Sequence, residues 1–206
     1  MKTKVLIFDF DGTIADTFSR LIKIGNHLAD EFKFRKVNIP EISTLQNKTP
    51  KEIIKYLNVP IFKIPLILRR LKKNLHKEIT LIKPVEGIRE VLIRLKSEGR
   101  VLGVLSSNSR ENVTDFLKTH RLDFFDFIQT TSKIWNKNIR LKKLIKTHKF
   151  QKNDVIYIGD EKRDIAAAKK AGIKVAAVTW GFNPEKTLAV YNPDYLISHP
   201  QELLKL

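Results

Sequence analysis

Asp9-Phe-Asp11-Gly12-Thr13 follows directly on the apolar run Val5-Leu-Ile-Phe8. Along a strand successive side chains alternate in direction, so the two carboxylates leave the backbone differently, and Gly12 permits a sharp turn that swings Asp11 back over Asp9. One acid can then attack phosphorus to give an acyl phosphate while the other moves a proton. A second acidic pair, Asp160 and Asp164, stands four apart in Gly159-Asp-Glu-Lys-Arg-Asp164, after the apolar run Val155–Ile158. At a loop and helix start such a pair can offer oxygen to a hard cation, one acid directly and one through water, and Mg2+ characteristically takes few protein carboxylates. The bland alternative makes caps of them, Asp9 for a helix beginning near Asp16 and Asp164 for the helix that follows it, with Asp160 in a solvated loop. One cap, however, needs one side chain, and the first motif has two acids, a glycine and a threonine in five residues.

Phosphoryl transfer from an ester asks for a nucleophile, a proton donor for the leaving oxygen, a cation and further fixed donors. Ser106-Ser107-Asn108 closes the apolar run Val101–Leu105 and precedes a helical pattern from Arg110. Its backbone N–H groups can form an anion nest, and the same residues, with Ser109, can equally serve as the N-cap cluster of that helix.

To meet, these motifs need a common scaffold. Val5–Phe8, Arg100–Leu105, Asp154–Ile158 and Lys174–Val178 each read as a short apolar strand that ends in small or polar residues. Between them lie helical patterns at Ile88–Glu98, Arg110–His120, Ile139–Lys146 and Arg163–Ala171, of which the first and last are closed by Gly99 and Gly172. The alternation predicts an α/β fold, a Rossmann-like parallel sheet with helices on both faces, in which ligands bind beyond the carboxyl ends of the strands. That rule sets Asp9, Ser106 and Asp160 on one rim. From Ile14 to Lys83 the alternation stops, and helical periodicity at Phe18–Phe32, Pro50–Leu57 and Ile61–Leu75 predicts a helical insertion, residues 14–83, between core segments 1–13 and 84–206. Its place just after Asp9 suits a lid. It carries fifteen Lys or Arg against six Asp or Glu, which leans toward a substrate with an additional acidic group.

Composition excludes several classes. With no cysteine, disulfides and thiolate metal sites are out, and the chemistry fits a reducing cytoplasm. No window approaches the roughly 20 apolar residues of a membrane span, and the N-terminal apolar run lacks a signal-peptide core. The net charge of +17 attracts anions, nucleic acid or a phosphate ester alike. The lysines are dispersed, and pairs such as Lys72-Lys73, Lys142-Lys143 and Lys169-Lys170 fall on helical patterns as solvated faces, so a nucleic-acid stripe is not the favoured reading. The five histidines show no metal-ligand spacing.

The pentad Asp9–Thr13 resembles the first motif of haloacid-dehalogenase-type phosphatases, and the resemblance extends over nearly the whole chain. It implies that Asp9 is nucleophile and Mg2+ ligand, that Asp11 is the acid/base whose carbonyl also meets the metal, and that Thr13 helps hold the loop. The dehalogenases of the family lack the second acid; Asp11 therefore argues for phosphate chemistry, since an alkoxide leaves with a proton and a halide does not. Ser106 resembles the second motif, a phosphoryl donor at a strand end. Lys137 in Ile134-Trp-Asn-Lys137 fits the third, with Lys133 as rival, and Asp160 and Asp164 fit the fourth as metal ligands. Thr179-Trp-Gly-Phe-Asn183 and Asn192-Pro-Asp-Tyr-Leu-Ile197 resemble phosphoglycolate-phosphatase-like members. The resemblance implies a Mg2+-dependent phosphatase acting on a small phosphorylated metabolite; a phosphomutase of the same family and a catalytically idle binding module are the rivals.

Overall fold

Buried on both faces, Val5–Phe8 forms β1, the central strand in a computed structural model that describes residues 4–131 and 137–206. The strands that follow are β2 (Val101–Ser106), β3 (Phe127–Thr130), β4 (Val155–Gly159), β5 (Lys174–Val178) and β6 (Tyr195–Ile197). They make one sheet of order β3-β2-β1-β4-β5-β6 in which every pairing is parallel. The expected parallel sheet is present, with β3 and β6 added to the strands read from apolar runs. Both are edge strands and neither is fully buried, so Phe-Ile-Gln-Thr and Tyr-Leu-Ile lack the continuous apolar run that marks an inner parallel strand.

Side chains alternate across the sheet as a period of two requires. Leu6 and Phe8 of β1 join Leu102, Val104, Ile156 and Ile158 in one core, while Val5 and Ile7 join Val155, Tyr157, Val175 and Ala177 in the other. Between β1 and β2 the chain forms α1 (Phe18–Phe32), α2 (Ile42–Gln46), α3 (Pro50–Tyr56), α4 (Ile64–Glu78) and α5 (Ile88–Ser97). Next come α6 (Arg110–Thr119), α7 (Lys137–Thr147), α8 (Lys162–Ala171) and the short α9 (Glu185–Ala189). α5 and α6 cover the first core and α7 and α8 the second, so each sheet face has its helical layer.

The chain leaves the sheet and returns to it side by side: Asp16 N donates to Lys83 O at 3.0 Å and Val85 N to Ile14 O at 2.9 Å. Everything between those crossings is helix or loop. α1 and α4 pack together, tied by Arg20–Glu78 at 2.5 Å and Arg70–Glu31 at 3.0 Å. The loop after α2 reaches the core, where Lys162 Nζ donates to Asn47 O at 2.9 Å and Thr187 Oγ1 to Asn47 Oδ1 at 2.5 Å. No helix among the described residues is long and apolar enough to cross a membrane.

Gly103 shows how tightly the edge of the sheet is set, because a Cβ there would overlap the ring of Phe127, which is itself stacked on His148 at 4.7 Å between centroids. Gly103→Ala is expected to lower unfolding free energy by about 1–3 kcal/mol, and adding Phe127→Leu to recover part of the loss. Urea denaturation of both variants tests this; an unchanged midpoint for Gly103→Ala means the ring moves aside at no cost.

Candidate active site

Register delivers the acids to one place. Phe8 pairs with Val104 on one side and Ile158 on the other, so β2 and β4 run at most two residues past the end of β1, and Asp9, Ser106 and Asp160 fall on the same rim. Asp9 N donates to Ile158 O at 2.7 Å, which fixes the point where β1 stops. Strand order reverses between β1 and β4, and a crevice opens at such a reversal.

Asp9 is buried, 3% exposed, with Oδ1 accepting from Phe10 N at 2.8 Å and Oδ2 from Lys137 Nζ at 2.5 Å. The same ammonium donates to Asp164 Oδ1 at 2.6 Å. Lys137 opens α7 and is 2% exposed, far from the solvated lysine its composition would suggest; Lys133 lies outside the described residues. Asp160 Oδ1 accepts from Thr13 Oγ1 at 2.9 Å and its Oδ2 from Phe182 N at 2.7 Å. Asp164 has a double duty: its Oδ2 accepts from Glu161 N at 3.1 Å, closing the capping box of α8, while its Oδ1 faces Lys137. The helix-cap reading of Asp164 and the site reading are therefore both true. Three backbone positions leave room for this, among them Gly181, where a Cβ would strike Asp160. Gly12, at φ 75°, sits where a Cβ would strike the Asp160 carboxylate, and at Gly159 a Cβ would strike that of Asp164.

Carboxylate oxygens of Asp9, Asp160 and Asp164 lie within 4.8 Å of one another, and all three residues are buried. Burial lifts the pKa of Asp9 to about 7, with Lys137 opposing the rise and Asp164 adding to it. Asp160 is held well above the ordinary carboxylate range by burial and by the charges of Glu161, Asp9 and Asp164. Burial alone would depress Lys137, but Asp164 and Asp9 more than offset it and hold the ammonium in its charged form. One ammonium among three buried acids leaves negative charge over, and an oxygen-only donor set of this kind fits a hard divalent cation.

Asp11 stands at the rim. Both its oxygens accept from Asn108 Nδ2, at 3.1 and 3.2 Å, while burial raises its pKa against that bond. Asn108 is not the helix cap; Ser109 caps α6 by accepting from Asn112 N at 3.2 Å. Ser106 Oγ accepts from Asn108 N at 2.9 Å, and Ser107 O accepts from Lys72 Nζ at 2.6 Å. Thus the structure brings together Asp9, Asp11, Gly12, Thr13, Ser106, Ser107, Asn108, Lys137, Asp160 and Asp164 at one rim. Lys162 Nζ donates to Asn47 O at 2.9 Å, and Arg163 pairs with Glu161 while its charge also acts on Asp164 and Asp9.

Residues to which the sequence reading gave no role complete the surround. Asn112 is fully buried and donates to Asn108 Oδ1 at 2.9 Å and to Lys72 O at 3.2 Å. His76 Nδ1 donates to Asn112 Oδ1 at 2.9 Å, although no role had been given to any histidine. The signal for Asn112 was its place on the stripe Asn112, Val113, Phe116, Leu117, a polar residue on a buried face. Trp180 Nε1 donates to Thr13 O at 3.2 Å, a link between distant segments with no local spacing to announce it.

The sequence profile of haloacid dehalogenase-like hydrolases matches residues 6–178. A phosphoglycolate phosphatase of Synechococcus elongatus is 32% identical over 203 residues, covering 98% of this chain and 96% of the relative. The pyrophosphatase PpaX of Bacillus cereus is 26% identical over 215 residues, covering 100% and 97%. Among solved structures, a haloacid dehalogenase-like family hydrolase from Streptococcus pneumoniae superposes with a TM-score of 0.82 at 24% identity, covering 98% of this chain and 97% of that one. With the profile spanning most of its length and a relative at 32% identity along nearly all of it, the chain belongs to the haloacid dehalogenase-like hydrolase family and is a hydrolytic enzyme.

Proposed function

We propose that the chain is a Mg2+-dependent phosphatase of the cytoplasm that hydrolyses a small phosphomonoester through an aspartyl-phosphate on Asp9. One observation carries this reading: the buried carboxylates of Asp9, Asp160 and Asp164 lie within 4.8 Å of one another, and Asp9 and Asp164 share a single ammonium. The printed names of the relatives, a phosphoglycolate phosphatase and a pyrophosphatase, support phosphate chemistry.

Asp9, Asp160, Asp164 and the Asp11 carbonyl would hold the cation, and Mg2+ would there offset charge on the phosphoryl oxygens. Lys137 fixes the Asp9 carboxylate through Oδ2. An Asp9 oxygen attacks phosphorus in line, the bond from phosphorus to the ester oxygen breaks, and that oxygen takes the proton of Asp11. A water then gives a proton to Asp11 and attacks the same phosphorus, releasing inorganic phosphate and restoring the Asp9 carboxylate. The Ser106 hydroxyl, the N–H groups of Ser107 and Asn108, and Lys137 meet the remaining phosphoryl oxygens. Gly12 and Thr13 shape the turn that seats Asp160. The helical insertion, residues 14–83, acts as a cap on the two paired crossings beside Ile14 and Val85.

Asp9→Asn should stay folded and lose at least about 10⁴-fold in kcat; phosphate release at the parent rate would remove Asp9 as nucleophile. Asp11→Asn should cost about 10²–10⁴-fold, with the larger loss on ethyl phosphate than on p-nitrophenyl phosphate, whose leaving group needs no proton. Equal losses on the two esters would count against Asp11 as proton donor.

Stability in EDTA gives a separate check. The folded pKa of Asp9, about 7, lies above its unfolded value of 3.8, so between those values the unfolded chain releases a proton that the folded one retains. Stability in EDTA should therefore fall as pH rises from about 4 to about 7. Mg2+ binds the ionised cluster of the folded state, so the melting-temperature gain on adding it should be larger at pH 8 than at pH 5. A gain independent of pH, or none, would refute the metal assignment.

A further inference from the structure

The cap carries fifteen basic residues from Ile14 to Lys83, but they differ in what surrounds them. All but four are exposed; the four are Arg20, Lys48, Lys63 and Lys72. Arg20 pairs with Glu78 at 2.5 Å, Lys48 lies over the Tyr56 ring at 5.1 Å, and Lys63 over the Phe62 ring at 5.8 Å. Lys72 alone of the four has neither a carboxylate nor a ring as partner among the described residues. Its Nζ rests on a neutral acceptor, Ser107 O, at 2.6 Å.

Lys72 is also held firmly. Its carbonyl accepts from Asn112 at 3.2 Å, and one turn further along α4 His76 donates to the same asparagine. The ammonium has three N–H donors and Ser107 O takes one. Burial depresses its pKa from the ordinary lysine value, and the charge of Asp11 works against that depression. Lys72 and Asp11 therefore feel each other across the mouth of the site. A half-buried cation with spare donors and no carboxylate bonded to it is a place for an anion. The groups that receive the transferred phosphoryl come from the core, whereas Lys72 comes from the cap and faces the acid that serves the leaving oxygen.

We propose that Lys72 is a specificity-determining residue that binds a second anionic group, a carboxylate or a phosphate, on the leaving portion of the substrate. This rests on the phosphatase reading of the site. It narrows the general basicity of the cap to one side chain and the substrate to those with a charge close to the ester oxygen.

Three substrates of similar size separate the possibilities: phosphoglycolate carries a carboxylate, pyrophosphate a second phosphate, and ethyl phosphate neither. They are compared in the parent, in Lys72→Met, which keeps the aliphatic stem, and in Lys72→Arg. With Lys72→Met, KM for at least one charged substrate should rise about 10- to 100-fold while kcat/KM on ethyl phosphate stays within about threefold. Lys72→Arg should recover most of the lost affinity. Whichever charged substrate suffers identifies the anion. An equal loss on ethyl phosphate would overturn the proposal, because Lys72 would then act on the transferred group or on cap docking. So would no loss on either charged substrate. A parent that hydrolyses ethyl phosphate while these expectations fail leaves the phosphatase reading standing, and a parent that hydrolyses none of the three removes both.

Discussion

A single buried ammonium, Lys137, bonded at once to Asp9 and Asp164, is the interaction on which the rest of the site depends. It joins the end of β1 to the start of α8 by way of the start of α7, three segments that share no local sequence. Charges so far from water are costly unless paired and hydrogen-bonded, and this pairing is incomplete, with Asp160 and Asp9 both pushed toward the neutral form. Such a cluster does not favour folding. It persists because the two apolar cores beneath it, one on each face of the sheet, supply the favourable burial, and the proposed cation would relieve part of the unbalanced charge.

The sheet converts that electrostatic demand into geometry. Three inner strands ending within two residues of one another bring acids from residues 9 and 160 side by side without any side chain reaching far. Short carboxylates with few rotatable bonds then keep their places. Where the backbone must pass close to them, glycine stands at Gly12 and Gly159. The same economy shows in Asp164, whose one carboxylate both caps α8 and holds Lys137, so the helix cannot shift without moving the ammonium.

Much of this was legible in the chain. Inner strands buried on both faces have to be apolar throughout, and Val5–Phe8 or Val155–Ile158 could be little else. Acids at the ends of such runs are conspicuous because nothing in a strand calls for them. β3 and β6, half-covered at the edges, carried no such mark. Lys137 was placed only through resemblance, since burial is what distinguishes it from the other lysines and burial is a property of the fold. Asn112, His76 and Lys72 were illegible for the related reason that their partners lie between α4 and the α6 region, at separations of 35 to 40 residues.

Those bonds bear on the two opposite proton transfers proposed for Asp11. The amide of Asn108 cannot turn over, because its Oδ1 accepts from both Ser109 N and Asn112 Nδ2, which leaves Nδ2 to donate to Asp11. That donation favours the carboxylate, and burial favours the acid. Burial prevails, so Asp11 is held above the ordinary carboxylate range, the direction that the proposed proton donor needs. Asn108 is in turn oriented by Asn112, and Asn112 is held from the cap by Lys72 O and His76 Nδ1. The helix that carries Lys72, the residue proposed to meet the leaving portion of the substrate, thus also steadies the amide that bonds to Asp11. One hydrogen-bonded chain, running from α4 through α6 to the turn after β1, joins the residues proposed for recognition and for proton transfer.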